Sequence, residues 1–485
     1  MKEKLLTYCN PLSIANIPRG KDEWYTVEDK MFSHENKPDF VKTPDYRSIS
    51  DPTVFYYDDK WYMYPSYGMA WVSEDFVNWQ HYRTEPYCPK YSPSIIPWKG
   101  KFLMTSWFCP LYEADTPLGP FRELGSFILP DNTEYLPCDP GIFIDDDERI
   151  YLYAFDGNNE TTLIIGYELD RDNPRKIISD RHVILQLDAK NHWWERNGLH
   201  KQDDTFGWVE GPHLLKYNGR YYMIYASSNT CDSSYCLAVY YSDEGPLTGF
   251  ICQKNNPLTY NINGLVSGAG HGCVERGPND TLWAFYTIPT PYTHHYERRI
   301  GMDLVAVDKN GELYAPHGVT DTPQYQPGKI KNCIENNSPK WLNLTGGSRP
   351  EVSSSKEGRD ALYAVDESKI TWWQPEDFDE YPVLTCNLKA EYTICSTRVF
   401  WKEIGLDYKN GAIPAPIKYV IEGYHNGEWV CLIDATNNEE EKNIDYREIT
   451  KPCVCEKARI KIIQKPKGLQ IGIIDFCVFG ERYKK

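Results

Sequence analysis

The segment SDPTVFYYDDKWYMYPS, from Ser50, opens with an acid, Asp51, set just ahead of strand-like alternation where its charge gains little. Similar phrases recur: YSPSIIPWKGKFLMTSW from Tyr91, CDPGIFIDDDERIYLYAF from Cys138, VEGPHLLKYNGRYYMIYA from Val209 and GHGCVERGPNDTLWAFYT from Gly270. At the matching starts stand Asp51, Ser92, Asp139, Glu210 and His271. Taken singly, each acid is a turn residue, because Asp-Pro and Glu-Gly-Pro are common turn pieces. Three acids and a histidine brought to one point are different, since like charges raise one another's pKa and destabilise a fold unless they bind or react. Two carboxylates on either side of an acetal bond are what its hydrolysis requires. One, protonated, gives its proton to the leaving oxygen, and the other, ionised, activates water. A third acid raises the pKa of the donor and orients it.

Bringing five distant positions together is the task of the surrounding elements. Each phrase holds a short strand, a polar turn (Asp59-Lys60, Lys99-Gly100, Asp147-Glu148, Asn218-Gly219 or Asn279-Asp280) and a second strand, which is a hairpin pattern. A further strand pair follows, as in MAWVSEDFVNWQHY and CLAVYYSDEGPLTGF, so each repeat has the size of a propeller blade. Five repeats predict an all-β chain with a five-bladed β-propeller over residues 1–325. The innermost strand of every blade then lines the central channel and delivers its first residue to one axis.

Bulk properties narrow the partner. The 485 residues carry a net charge of −17, which opposes a nucleic-acid backbone and an anionic membrane surface and leaves a small neutral partner. Aromatics are abundant, with 37 Tyr, 17 Phe and 15 Trp, and their rings suit both strands and sugar faces. No apolar run reaches the ~18 residues of a membrane span, and the start, MKEKLLTYCNPLS, lacks the apolar stretch of a secretion signal. Fifteen cysteines, an odd count in a long chain, then read as reduced thiols in a cytoplasmic protein. Cys453-Val-Cys455 and Cys231 to Cys236 lack partners at zinc-ligand spacing and read as small core residues.

The set SDPTV, CDPGIFIDDDERIYL and VEGPHLLKYNGRYYMIYA, with VSEDFVNW (72–79) and GAGHGCV (268–274), resembles glycoside hydrolase family 43 over roughly residues 8–325. The resemblance implies a five-bladed propeller and an inverting mechanism. It implies Asp51 as the general base, Asp139 as the group that raises the acid's pKa, and Glu210 as the general acid. Inversion needs base and acid about 6.5–9.5 Å apart to admit water. His271 is expected to hold water or a divalent ion at the axis, a calcium coordinated partly through water being one form; a buried, hydrogen-bonded histidine is the other. His294-His295 reads as a surface loop. Arg298 or Arg299 reaches the channel, with Arg299 preferred. Candidate sugar walls are Trp71, Trp107, Phe108 and Trp208, while Trp79 reads as packing and Ser92 as too short to crowd a sugar.

Loop-rich sequence between 320 and 360 marks a seam, and residues 326–485 read as a linker and a C-terminal β-sandwich. ALYAVDESKITWW (361–373), IKYVIEGYHNGEWVCL (417–432), ARIKI and IGIIDFCVFGE resemble a discoidin-like domain. Trp372 or Trp373 could stack on carbohydrate there, but a structural role is preferred. The expected activity is release of terminal pentose from plant oligosaccharides by an exo-acting α-L-arabinofuranosidase. β-Xylosidase activity and a noncatalytic sugar-binding protein are the alternatives. No organic cofactor is expected, and the oligomeric state stays open.

Overall fold

The computed structural model describes residues 6–15, 48–66, 69–84, 91–158, 161–290, 297–330, 337–407 and 410–483; the pair His294-His295 lies outside them. Five four-stranded antiparallel sheets follow one another along the chain, each with its strands in sequence order. Their inner strands are Thr53–Tyr57, Ser94–Trp98, Cys138–Ile144, Glu210–Tyr217 and Gly270–Arg276. These sheets are the blades of a five-bladed β-propeller, as the repeats predict.

The hairpin turns explain the repeat. Asp58 and Asp59, Lys99 and Gly100, and Asn218 and Gly219 all have positive φ, and each pair joins two paired strands as a two-residue loop. That backbone twist matches the twist of the flanking strands, and Asp, Asn and Gly tolerate it best. In the first blade the turn centres on Asp58-Asp59, one residue before the expected Asp59-Lys60.

Apolar residues fill the spaces between neighbouring blades. Trp61, Met63, Trp71 and Phe76 of the first blade pack with Trp283, Phe285 and Met302 of the fifth. The N-terminal segment closes this joint: Thr7–Tyr8 pairs with Gln324–Tyr325, Leu12 N–H donates to Ile300 O at 2.8 Å, and Ile49 N–H donates to Arg298 O at 3.1 Å. The strand carrying Arg298 is thereby bonded to the chain two residues ahead of Asp51.

The C-terminal domain is a single hydrogen-bonded network of seven strands. Its long strands Val383–Ile404, Ile444–Gln464 and Gln470–Arg482 bury Trp373, Trp401, Ile460 and Phe476. Trp373 is fully buried and donates its indole N–H to Ser354 O. Trp372 lies beneath Arg359 and against the cluster of Leu265, Phe400, Ile444 and Ile474. Both tryptophans are thus engaged in packing. Leu265 belongs to the propeller, so this cluster joins the two domains. Among the described residues no helix is long and apolar enough to cross a membrane.

Candidate active site

Each blade enters its inner strand through a residue with left-handed backbone: Asp51 (φ 53°), Ser92 (φ 47°), Asp139 (φ 44°), Gly211 (φ 59°) and His271 (φ 36°). Proline follows the first four of these. Five equivalent bends therefore turn the chain at the axis, and non-glycine residues hold this costly conformation, as functional sites commonly do. The bends correct the register read from sequence. The fourth-blade equivalent of Asp51 is Gly211, not Glu210. Glu210 sits one position earlier, matching Cys138 and Gly270; these three pair with Ala226, Phe155 and Thr287 just before the register shift in their blades. The acid of the fourth blade is thus supplied from a neighbouring backbone site by a longer side chain.

Asp51 is 4% exposed and densely contacted. Its Oδ2 accepts hydrogen bonds from Ser66 Oγ at 2.6 Å and Ser50 Oγ at 2.9 Å. Its Oδ1 lies 3.3 Å from Arg298 Nη1 and 3.6 Å from His271 Nδ1. Burial opposes ionisation of this carboxyl, but Arg298, His271 and the two hydroxyls outweigh burial and hold its pKa below the usual value. Asp51 is the carboxylate of the site.

Glu210 is pushed the other way, up to about 7, by burial first and then by the charge of Asp139; His271 and a 2.6 Å hydrogen bond from Tyr235 oppose the rise without cancelling it. Asp139 is also raised, chiefly by burial with a contribution from Asp51, although Ser92 Oγ donates to its Oδ1 at 2.9 Å. Ser92 therefore positions an acid as well as leaving space: its N–H bonds Ser66 Oγ at 3.1 Å, so one serine pair connects Asp51 and Asp139. Two glycines permit this crowding. A Cβ on Gly211 would stand 2.7 Å from the His271 ring, and one on Gly270 would stand 2.3 Å from the Tyr235 ring that reaches Glu210.

Two expected site residues are displaced. Arg299 does not reach the channel. Successive strand residues face opposite ways, so Arg298 takes the inward place at Asp51, and Arg299 turns to Asn443 of the C-terminal domain. Trp71 is fully buried, donates its indole to Ala15 O and packs edge-on against His81, so it is interblade packing and not a sugar wall. Trp79 is buried with its indole on Phe76 O.

Trp107, Phe108 and Trp208 stay accessible. Trp107 packs against Tyr91 at 5.5 Å and Phe108 at 5.0 Å, and its side chain bonds the thiol of Cys138, next to Asp139. Phe108 has φ 48°, unusual for a bulky residue, and leaves its ring 46% exposed. Trp208 lies between Phe155 and Phe206, two residues before Glu210.

Sequence reasoning missed Ser50, Ser66, Tyr235, Thr230 and Thr287. Only Ser50 carried a signal, as the neighbour of Asp51. Thr230 lies 3.3 Å from Arg298, and Thr287 accepts the Asp51 N–H at 2.8 Å. His271 supplies one imidazole at the axis, and no group of three His, Cys, Asp or Glu residues occurs there among the described residues, so a divalent ion held at this point would take its remaining ligands from water.

A propeller whose axis gathers a low-pKa carboxylate, a high-pKa carboxyl and a third acid has the parts of an acid–base hydrolytic site. A family model described as Glycosyl hydrolases family 43 matches residues 33–313, more than half of the chain. The chain belongs to that family, whose members hydrolyse glycosidic bonds. Among solved structures, it is similar to a thermostable family-43 glycoside hydrolase at 24% identity, covering 58% of this chain and 96% of that one with a TM-score of 0.49. It is also similar to a xylan β-1,4-xylosidase from Bacillus halodurans C-125, at 13% identity over 90% of this chain and 99% of that one, TM-score 0.45. A third is an α-L-arabinofuranosidase from Clostridium thermocellum ATCC 27405, at 20% identity over 56% of this chain and 94% of that one, TM-score 0.40.

Proposed function

We propose that the protein is an exo-acting, inverting glycosidase that releases terminal pentose, as an α-L-arabinofuranosidase, from arabinoxylan- or arabinan-derived oligosaccharides. The mechanism is supported by the contacts that set the two carboxyls apart: Asp51 takes hydrogen bonds from Ser50 and Ser66 and lies 3.3 Å from Arg298, which favours its ionised form, while Glu210 is buried with one hydrogen bond from Tyr235 and is pushed the other way. Asp51 takes a proton from water, and the water oxygen attacks the anomeric carbon. Glu210 protonates the departing glycosidic oxygen as its bond to that carbon breaks. Burial, with the charge of Asp139, keeps Glu210 protonated up to about neutrality, and Arg298 and His271 keep Asp51 ionised. The hemiacetal leaves with inverted configuration, and proton exchange with solvent resets both carboxyls.

Trp107, Phe108 and Trp208 serve as the aromatic walls, against which the C–H faces of a sugar pack while its hydroxyls meet polar groups. The free thiols among the described cysteines and the acidic net charge support a cytoplasmic enzyme acting on short neutral oligosaccharides. A panel of aryl pentosides, with the product anomer followed by NMR, tests the reading. Turnover of the arabinofuranoside with an inverted first product supports it. Preference for the xyloside reassigns it to a β-xylosidase, a retained anomer overturns inversion, and no turnover on any pentoside leaves a sugar-binding protein.

A further inference from the structure

Arg298 and Arg299 open the strand Arg298–Val307, and their side chains leave it in opposite directions. Arg298 Nη1 lies 3.3 Å from Asp51 Oδ1 and 3.3 Å from Thr230 Oγ1. Arg299 is 1% exposed. Its Nε and Nη2 both donate to Asn443 Oδ1, at 3.1 and 2.6 Å; Nη2 also meets Glu297 Oε1 at 3.0 Å, and Nη1 donates to Arg298 O at 2.8 Å. That same Arg298 carbonyl accepts the N–H of Ile49, two residues before Asp51. Asn443 is itself locked in the C-terminal domain: its Nδ2 donates to Trp401 O at 3.0 Å, and its carbonyl accepts the Trp401 N–H at 3.0 Å.

We infer that the C-terminal domain takes part in catalysis through a positioning relay, in which Asn443 and Glu297 fix Arg299, and Arg299 fixes the backbone from which Arg298 grips Asp51. The inference rests on Asp51 being the base. A guanidinium held at several points on one side of a strand leaves the residue on the other side little freedom. One end of this clamp is an Asn of a different domain, so removing that amide loosens the strand start without touching any group in the channel. A small displacement of a charged group at a reacting centre is enough to cost rate.

The experiment compares Asn443→Ala and Arg299→Lys with the parent enzyme, measuring kcat, KM and the pH dependence of kcat/KM on one aryl pentoside. Asp51 faces Arg298 and His271 from the fifth blade, Asp139 from the third and Glu210 from the fourth; Arg298 and His271 favour its charge, and the two acids oppose it. Weaker contact with Arg298 therefore moves the acid limb to higher pH, by about one unit, while kcat falls roughly tenfold or more with KM nearly unchanged. Arg299→Lys keeps the charge but lacks the planar fork, so it reports on the relay if the Asn443 variant does not fold. A parental acid limb and kcat in folded Asn443→Ala or Arg299→Lys enzyme overturns the relay. Arg298→Ala separates the two failures. If its acid limb also stays in place, the assignment of Asp51 as base falls; if that limb moves while those of the other two variants do not, only the relay falls.

Discussion

Below about pH 7 the Glu210 carboxyl keeps its proton, and that proton is what a poor leaving group needs. Activity should therefore decline as pH rises through about 7. On the other side, it should persist below the ordinary carboxylate range before Asp51 protonates, giving a bell-shaped kcat/KM profile. Asp139→Asn tests the cause of the upper limb. Removing the largest opposing charge lets Glu210 ionise earlier, so the basic limb should move to lower pH; a limb that stays at about 7 means burial alone sets it. Glu210→Ala should cost about 10²–10⁴-fold on unactivated oligosaccharides and far less on aryl glycosides whose phenolate leaves unaided. Equal losses on both substrates would remove Glu210 from the donor role.

The elements were legible in sequence where local chemistry decides them. Lys99-Gly100 and Asn218-Gly219 announce two-residue hairpins, the first-blade turn falls one residue before the expected Asp59-Lys60, and the third and fifth blades turn through longer loops, yet the phrase recurs five times and so counts five blades. The site was legible in its three acids, which stand out against turn chemistry only through repetition. Its register in the fourth blade was not, because Glu-Gly-Pro imitates Asp-Pro while the bend falls on Gly211. Nor could sequence choose between Arg298 and Arg299, or tell the buried Trp71 from the accessible Trp107; strand facing and interblade burial settle those. Gly211→Ala probes the bend directly. A Cβ at φ 59° adds about 1–2 kcal/mol of backbone strain and meets the His271 ring at 2.7 Å. Thermal denaturation should show a lower Tm, and kcat/KM should fall with it because His271 must move from Asp51. A variant with parental Tm and activity would show that the bend tolerates a side chain and that His271 is not confined by it.

Across the whole molecule, the two domains meet through buried polar groups as well as the Leu265 cluster. Arg398, paired with Asp475 at 3.0 Å, donates to Asp321 O at 2.8 Å and to Asn10 O, so one guanidinium of the C-terminal domain ties two segments of the propeller. Lys369 is different. It donates to Ser267 O at 3.0 Å, close to the His271 strand, and burial, with no carboxylate offsetting it among the described residues, lowers its pKa to about 7. An unfolded lysine binds its proton up to about pH 10.5, so between about 7 and 10.5 the unfolded chain holds more protons than the native one. Stability from this group must then rise with pH across that window and be lowest below it, where a buried ammonium is forced on the interface. Lys369→Met keeps the apolar stem and removes the charge at the expense of one hydrogen bond, worth about 1 kcal/mol. The expected result is a higher Tm at pH 6–7 than the parent, by several degrees, with the difference shrinking toward pH 10. A variant equally stabilised or equally destabilised at both ends of the range would mean that Lys369 does not titrate within the fold, and that the interface accepts its charge at no cost.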